Sequence, residues 1–171
     1  MIFSTESIRE TTEADRKLLS EIADILKGVV RTAQETLSEK ASSQFTVGCH
    51  TVCRALQQVI GKDRITVVDG FYLGLDTKND AGEIQLFQCE HSWLLTSSGA
   101  IIDPHPTGLV GIMPLCPILV VNKGPRRVFG GNHYISDPSV TAKLGNRATW
   151  RESSLLARIM LMSKNRKPQG K

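Results

Sequence analysis

The hydrophobic periodicity of the chain changes at Gly61, and this change limits the folds that are open to it. Between residues 13 and 39, apolar side chains recur every three or four residues, which predicts one amphipathic helix with Gly28 as a candidate point of interruption. A second helix is predicted from Cys49 to the stop signal at Gly61. After Gly61 the pattern changes to short apolar runs separated by turn residues, which are typical of strands.

The second half of the chain contains several runs that are predicted to be extended. They cover residues 65–68, 71–73, 84–95, 100–103 and 117–121. Thr149 and Glu152 then form a capping box, which predicts the start of a last helix that runs through Leu155, Ile159 and Met162.

This order of elements favours an α+β domain in which N-terminal helices pack on an antiparallel β-sheet. We expect residues 1–12 to be a flexible N-terminus, residues 13–163 to form a single α+β domain, and residues 164–171 to be a basic flexible tail. The Gly-Gly-Asn run before His133 predicts a surface loop.

Composition and charge argue against several classes of partner. The chain has 171 residues, a net charge of +4 and four cysteines. No segment has the roughly 18 apolar residues that a membrane span requires, so no membrane partner is expected. The first residues lack the features of a secretory signal, which predicts a cytoplasmic protein with reduced thiols, with leaderless export as the alternative. Few aromatic residues and no recognition motif argue against nucleic acid, and the oligomeric state stays open.

Cys49 is the strongest candidate for a reactive residue. It follows Gly48 and opens the second predicted helix, where free backbone N–H groups and the positive end of the helix dipole stabilise a thiolate. Gly48 also permits a sharp turn and a close approach of substrate. Cys53 lies one turn further along the same face, where a buried and inert thiol is the simpler interpretation. Cys49 is therefore the predicted nucleophile.

A predicted hairpin brings His91 and Asp103 to one face of the sheet. Strand alternation puts His91 and Trp93 on the same face, and the turn Ser97-Ser98-Gly99 suits a three-residue loop with Gly99 in the left-handed conformation. That register sets Trp93 opposite Asp103 and leaves His91 diagonal to Asp103, with roughly 7–8 Å between their backbones. A two-residue loop would instead move Asp103 to the other face.

The chemistry of Cys49, His91 and Asp103 fits nucleophilic catalysis. His91 would take the proton of Cys49 and later protonate the leaving group. Asp103 would hold the imidazole in one tautomer and stabilise its positive form.

Other residues are candidates for an oxyanion hole or for substrate contacts, namely Gln44, Gly48, His50 and Trp93. The amide of Gln44 could join the backbone N–H of Cys49 in an oxyanion hole, or Gln44 could be a solvated loop residue. Trp93 could exclude water from the site or be a core aromatic residue. His50 could replace His91 as the base only if the helix began later than Cys49.

The combination of these segments resembles the papain-like and transglutaminase-like cysteine enzymes. The likeness covers roughly residues 44–104 and rests on Gly48-Cys49 at a helix start, His91-Ser92-Trp93-Leu94 on a strand and Ile101-Ile102-Asp103-Pro104 on the next strand.

The resemblance implies a thioester-forming enzyme of papain-like or transglutaminase-like fold, with residues 13–163 as its catalytic domain and no cofactor. By position, Cys49 matches the nucleophile, His91 the base and Asp103 the acidic third member. Papain proteases carry tryptophan where this chain has His50 and asparagine where it has Asp103, and aspartate matches the transglutaminase-like branch. Peptidases, amidases, deamidases, transglutaminases and acyltransferases share the first half-reaction, so the acceptor stays open and the expected partner is a protein, peptide or small amide substrate.

Two alternatives compete with the enzyme. Cys49, Cys53, Cys89 and His91 could bind zinc as a structural Cys₃His site. The chain could also be a non-enzymatic protein-interaction domain, with the last helix either as a docking element or simply as part of the core.

Overall fold

A computed structural model of the chain describes residues 12–36, 48–75, 86–105, 118–121, 133–144 and 147–165. These residues form four helices and five strands. In chain order the elements are α1 (Glu13–Thr36), α2 (Cys49–Ile60), β1 (Ile65–Leu75), β2 (Leu86–Thr96), β3 (Ala100–Asp103), β4 (Ile118–Val121), β5 (His133–Ser136), α3 (Pro138–Leu144) and α4 (Arg147–Asn165).

The strands form one sheet in the order β4-β3-β2-β1-β5, and every neighbouring pair is antiparallel. The long strands β1 and β2 form its centre, paired from Ile65 opposite Thr96 to Leu75 opposite Leu86. The predicted α+β class with an antiparallel sheet is therefore confirmed.

The bounds of α2 and β3 are those that the sequence predicts, whereas β1 is longer. Two separate runs were expected in β1 because Asp69 and Gly70 are turn formers. Asp69 instead lies buried within the strand, where Arg54 of α2 forms an ion pair with it at 2.7 Å. A charged partner from another element thus allows a turn-forming residue to occupy a central strand.

The elements β5 and α3 were not predicted. His133 was expected in a surface loop, but it begins β5, which pairs with β1 from Ser136 opposite Gly70 to His133 opposite Leu73. Both elements are too short for their apolar residues to show a clear period.

The described helices include residues beyond both predicted ends of the domain. Thr12 caps α1, since Thr12 N–H donates to Asp15 Oδ2 at 2.9 Å and Asp15 N–H donates to Thr12 Oγ1 at 3.1 Å. Helix α4 continues to Asn165, and Lys164 pairs with Glu21 of α1 at 3.1 Å, so the expected tail cannot begin at residue 164. Residues 1–11 and 166–171 lie outside the described part of the chain.

Helix α1 is continuous through Gly28, so the candidate interruption there is wrong. A Cβ atom at Gly28 would collide with Ser163 Oγ of α4. Glycine at this position therefore lets the two helices approach each other closely.

The two faces of the sheet carry different cores. One face packs on α1, α2 and α4 through alternate residues such as Ile65 and Leu94, in a mainly aliphatic cluster. The opposite face carries a smaller, mainly aromatic cluster of Tyr72, Trp93, Ile101 and Tyr134. The second cluster is the one that surrounds the predicted histidine.

Helix α4 begins at Arg147, two residues before the predicted capping box, and Leu155 and Met162 are each 61% exposed. Its buried face instead contains Ser153, Leu156, Ala157 and Met160. Apolar residues lie on both sides of this helix, so its period alone could not identify the side that packs. Among the described residues, no helix has the length and apolar character needed to cross a membrane.

Candidate active site

Cys49 lies at the start of α2, with Gly48 as the N-cap residue. Gly48 is extended at φ −73° and ψ 153°, and the first helical hydrogen bond runs from Val52 N–H to Gly48 C=O at 3.1 Å. No side chain among the described residues caps this end of the helix. Its first backbone N–H groups are therefore available to an anion. Gly48 is exposed and Cys49 is half-buried.

The hairpin formed by β2 and β3 has the predicted register. Gly99 is left-handed at φ 83°, and its N–H donates to Thr96 C=O at 3.0 Å, which closes the three-residue turn. Leu94 then pairs with Ile102, and the same register sets Trp93 opposite Asp103.

His91 and Asp103 consequently meet in the interior of the protein. His91 Nε2 lies 2.8 Å from Asp103 Oδ2, and both side chains are fully buried. Because the carboxylate accepts a hydrogen bond from Nε2–H, Nδ1 is the ring nitrogen that remains for other partners.

Asp103 also accepts hydrogen bonds from two groups that the sequence did not suggest. Tyr134 Oη donates to Asp103 Oδ2 at 2.8 Å, and the backbone N–H of His105 donates to Oδ1 at 3.0 Å. Burial, and then the nearby charge of Asp103, raise the pKa of Tyr134 far above its usual range. The phenol therefore keeps its proton and remains a donor. No motif marks Tyr134, because β5 reaches this place only by pairing with β1.

Aromatic rings surround the imidazole of His91. The centroid of its ring lies 5.9 Å from that of Tyr72, 6.2 Å from that of Tyr134 and 6.4 Å from that of Trp93. Trp93 is only 3% exposed and stacks at an interplanar angle of 27°. Trp93 thus belongs to the core and also shields His91 from water. Such rings favour a cation above their faces.

Electrostatic interactions reverse the usual order of the Cys49 and His91 pKa values. Burial alone would raise the pKa of Cys49, but interactions with His50 and His91 outweigh it and lower the pKa from 9.0 to about 6. Burial alone would lower the pKa of His91, but interactions with Asp103 and Cys49 raise it from 6.5 to about 9. Between these values the favoured state is a thiolate beside an imidazolium.

Nδ1 of His91 is buried and has no hydrogen-bond partner of good geometry among the described residues. His91 and the Cys49 side chain nevertheless interact, and each shifts the pKa of the other. Catalytic contacts are often long or poorly aligned until substrate binds.

His50, next to the thiol, belongs to a second polar network. Its Nδ1 lies 2.6 Å from Ser92 Oγ, and the Ser92 hydroxyl donates to Asp69 Oδ1. Arg54 donates to the two oxygens of Asp69 at 3.1 and 2.7 Å. His50 was expected to line the site, or to replace His91 as the base if the helix began later than Cys49, and the helix does begin at Cys49. The sequence did not suggest Ser92 or Asp69. They come from neighbouring strands and share no motif with Cys49.

The alternative zinc site is not assembled. Among the described residues, which include all four predicted ligands, no group of three or more candidate ligands could hold a metal ion. Cys53 is fully buried in the helix-facing core, and its thiol donates to Ser92 C=O at 3.2 Å. Cys89 packs against the aromatic cluster on the other face of the sheet. Burial, and then nearby negative groups, raise the pKa of Cys53 well above its usual range, which fits an inert thiol.

The predicted site residues therefore have different outcomes. Cys49, His91 and Asp103 lie together, and Gly48, His50 and Trp93 lie around them. Gln44, the predicted oxyanion-hole residue, lies outside the described part of the chain. A cavity of about 670 Å³ between α1 and α4, bounded by Glu21 and Gly28, contains none of these residues.

Comparisons with protein-family models, curated proteins and solved structures found no match to this chain. The resemblance to papain-like and transglutaminase-like enzymes therefore stays a prediction, and the function has to be inferred from the chemistry of the site itself.

Proposed function

We propose that this chain is a cysteine-dependent acyl-transfer enzyme that forms a thioester on Cys49. The observation that carries the proposal is geometric: Cys49 opens a helix, and His91, whose Nε2 lies 2.8 Å from Asp103 Oδ2 in the interior, interacts with its thiol. The lowered pKa of Cys49, about 6, and the raised pKa of His91, about 9, agree with this arrangement. A thiolate that is stable at neutral pH, at a helix N-terminus, is the reactive form of a cysteine nucleophile. The papain-like or transglutaminase-like fold is part of the same proposal, supported by the chain order of Cys49, His91 and Asp103.

In the first step, the thiolate of Cys49 attacks the carbonyl carbon of an amide, and the negative charge moves to the carbonyl oxygen. Free N–H groups at the start of α2 can stabilise this oxyanion. His91 gives its Nδ1 proton to the leaving amine, the C–N bond breaks, and an acyl thioester remains on Cys49. Asp103 keeps the Nε2 proton in place, so that only Nδ1 exchanges.

In the second step, an acceptor attacks the thioester and releases the thiolate. Water would make the enzyme a peptidase, amidase or deamidase, whereas an amine would make it a transglutaminase or acyltransferase. The proposed substrate is a protein, peptide or small amide, and the proposed chemistry uses no cofactor. A persistent thiolate requires reducing surroundings, which supports a cytoplasmic location.

The proposal can be tested with p-nitrophenyl acetate, an activated ester that needs no specific substrate pocket. The wild-type chain should release one equivalent of p-nitrophenolate rapidly, and mass spectrometry of peptides should find the acetyl group on Cys49. The Cys49→Ala variant should show neither, while Cys53→Ala should keep both, because the Cys53 thiol is buried and its pKa is raised.

The matched cysteine variants also define the outcome that would refute the proposal. If the acetyl group appeared equally on Cys53 and Cys89, or if Cys49→Ala reacted as fast as the wild type, Cys49 would not be an activated nucleophile. Circular dichroism spectra of both variants would show whether the fold is retained.

Protein interaction through α4 is a second candidate function, favoured by exposed apolar side chains. Trp150 is 66% exposed, Leu155 and Met162 are each 61% exposed, and Leu161 is 44% exposed. Large exposed apolar groups on one helix are typical of interaction surfaces. Sedimentation of the wild type and of Trp150→Ser would test self-association. A mass that stays monomeric and equal in both at all concentrations would contradict it.

A further inference from the structure

The network behind His50 has no role in the mechanism proposed above. Asp69 is 5% exposed and Ser92 is fully buried, so a charged carboxylate and a hydroxyl occupy the interior next to the nucleophile. Burial alone would raise the pKa of Asp69, but hydrogen bonds from Arg54 and Ser92 outweigh it and lower the pKa. Asp69 therefore stays ionised at neutral pH and can only accept hydrogen bonds.

The hydrogen-bonding capacity of Ser92 determines the tautomer of His50. Ser92 has one proton, which it donates to Asp69, and Arg54 Nη1 lies 3.4 Å from its oxygen as a second donor. Because Ser92 has given its only proton to Asp69, its oxygen can act only as an acceptor towards His50, as it does towards Arg54. His50 Nδ1 therefore carries a proton, and Nε2 of the neutral ring carries a lone pair.

Cys49 consequently interacts with two imidazoles that are held by different groups. His91 is hydrogen-bonded to Asp103, whereas His50 is bonded to Ser92, which in turn donates to Asp69. Both histidines interact with the thiol side chain. His91 is fully buried, whereas His50 is half-buried and is therefore the more accessible of the two to an incoming acceptor.

We propose that His50 is a second catalytic base, which takes the proton of the acyl acceptor while the Cys49 thioester is broken. This inference rests on the proposed function and divides the proton transfers between two histidines. His91 protonates the leaving group in the first step, and His50 deprotonates the incoming acceptor in the second.

The lone pair of the acceptor forms a bond to the thioester carbon, and the acceptor proton moves to Nε2 of His50. The tetrahedral intermediate then collapses, the C–S bond breaks with its electron pair on sulfur, and the Cys49 thiolate is restored. The proton leaves His50 through solvent and returns to His91, where the thiolate and Asp103 hold it.

His50→Asn is the sharpest variant for testing this role. An asparagine amide can donate to Ser92 in place of Nδ1, so the buried network keeps its hydrogen bond, but the variant has no basic nitrogen in place of Nε2. Ser92→Ala is the companion variant, since it leaves His50 in place and removes the group that selects its tautomer.

The experiment uses the full chain with p-nitrophenyl acetate at about pH 8.5. At this pH Cys49 stays largely ionised even if the substitution raises the pKa of its thiol by one or two units. The burst reports formation of the acetyl-enzyme, and the steady-state rate reports its hydrolysis. In His50→Asn the burst should keep its amplitude, while hydrolysis of the acetyl-enzyme should fall about 100-fold, the usual effect of losing a general base. Ser92→Ala should lower hydrolysis by about tenfold.

Hydroxylamine gives an independent check, because it attacks thioesters at neutral pH without help from a base. It should restore turnover in His50→Asn, and the product should be acetohydroxamate. Hydrolysis of the acetyl-enzyme at the wild-type rate in His50→Asn would overturn the role of His50. A smaller burst with an unchanged hydrolysis rate would also overturn it, because that result indicates a purely structural effect. Ester hydrolysis by the wild type that is no faster than that by Cys49→Ala would instead refute the thioester mechanism itself, so the two failures are distinguishable.

Discussion

The reactivity of Cys49 should depend on pH in a way that an ordinary thiol cannot reproduce. Below about pH 6 the thiol is protonated, between about pH 6 and 9 it is a thiolate paired with the His91 imidazolium, and above about pH 9 His91 loses its proton. The lowering of the Cys49 pKa from 9.0 to about 6 corresponds to about 4 kcal/mol in favour of the thiolate. We therefore expect the rate of alkylation to rise with a midpoint near pH 6 and then to stay level up to about pH 9.

The size of the effect follows from two opposing factors. At pH 6 about half of Cys49 is thiolate, against about 0.1% of an ordinary thiol, which is a 500-fold advantage. A less basic thiolate is also a weaker nucleophile, by about 20-fold over three pKa units. Cys49 should thus react about 25 times faster than a free thiol at pH 6, and about tenfold more slowly at pH 9.

The assay is alkylation with iodoacetamide between pH 5 and 9, followed by peptide mapping, with N-acetylcysteine as the free-thiol reference. His91→Gln is the matched variant, because glutamine can still donate to Asp103 but has no cationic form. Without the imidazolium, the midpoint for Cys49 should move upward by about 1–2 pH units.

Two results would refute this reasoning. A single midpoint near pH 9 in the wild type would mean that Cys49 is an ordinary thiol. A midpoint near pH 6 that stays in place in His91→Gln would mean that the helix N-terminus or His50, and not His91, stabilises the thiolate.

Three further predictions concern the supports of the site and the packing of the helices. Asp103→Asn should lower the pKa of His91 and so slow alkylation at pH 6 by about two- to fivefold, since the smaller thiolate fraction is partly offset by a more basic thiolate; an unchanged rate would remove Asp103 from the site. Tyr134→Phe should lower the free energy of unfolding by about 1–3 kcal/mol in urea, because a hydrogen bond to a buried carboxylate is lost; an unchanged midpoint would mean that this bond contributes nothing. Gly28→Ala should destabilise the chain by about 1–3 kcal/mol, although this change usually stabilises a helix, and Ser163→Ala should recover part of the loss. A stabilised Gly28→Ala variant would show that the helices lie further apart.

The parts of the site that could be predicted from the sequence depend on neighbours along the chain. Cys49 begins a helix because Gly48 precedes it, and the helix ends at Gly61 as expected. The length of the turn closed by Gly99 determines which residues of β2 and β3 face each other, so it could be predicted that Asp103 would lie beside His91.

The parts that could not be predicted depend on contacts between distant segments. Tyr134 reaches Asp103 from 31 residues away, and Ser92 joins His50 from 42 residues away, with no local pattern that marks either pair. The prediction of which side of α4 packs was wrong for a similar reason. Both sides of that helix carry apolar residues, and the side that becomes buried is the one that fits the surface of α1 and α2.

Periodicity, helix starts and hairpin turns are local properties, so the class of the fold, the place of Cys49 at a helix start and the pairing of His91 with Asp103 could be predicted from the sequence. The charge states of Cys49 and His91 depend on the tertiary structure. A thiol and an imidazole that were merely close along the chain would keep ordinary pKa values. Burial by itself lowers the pKa of His91, but the neighbouring Asp103 raises it, and His91 in turn helps to lower the pKa of Cys49. Electrostatic interactions of this strength require that solvent be excluded from around the charges, and only the packed aromatic face of the sheet excludes it.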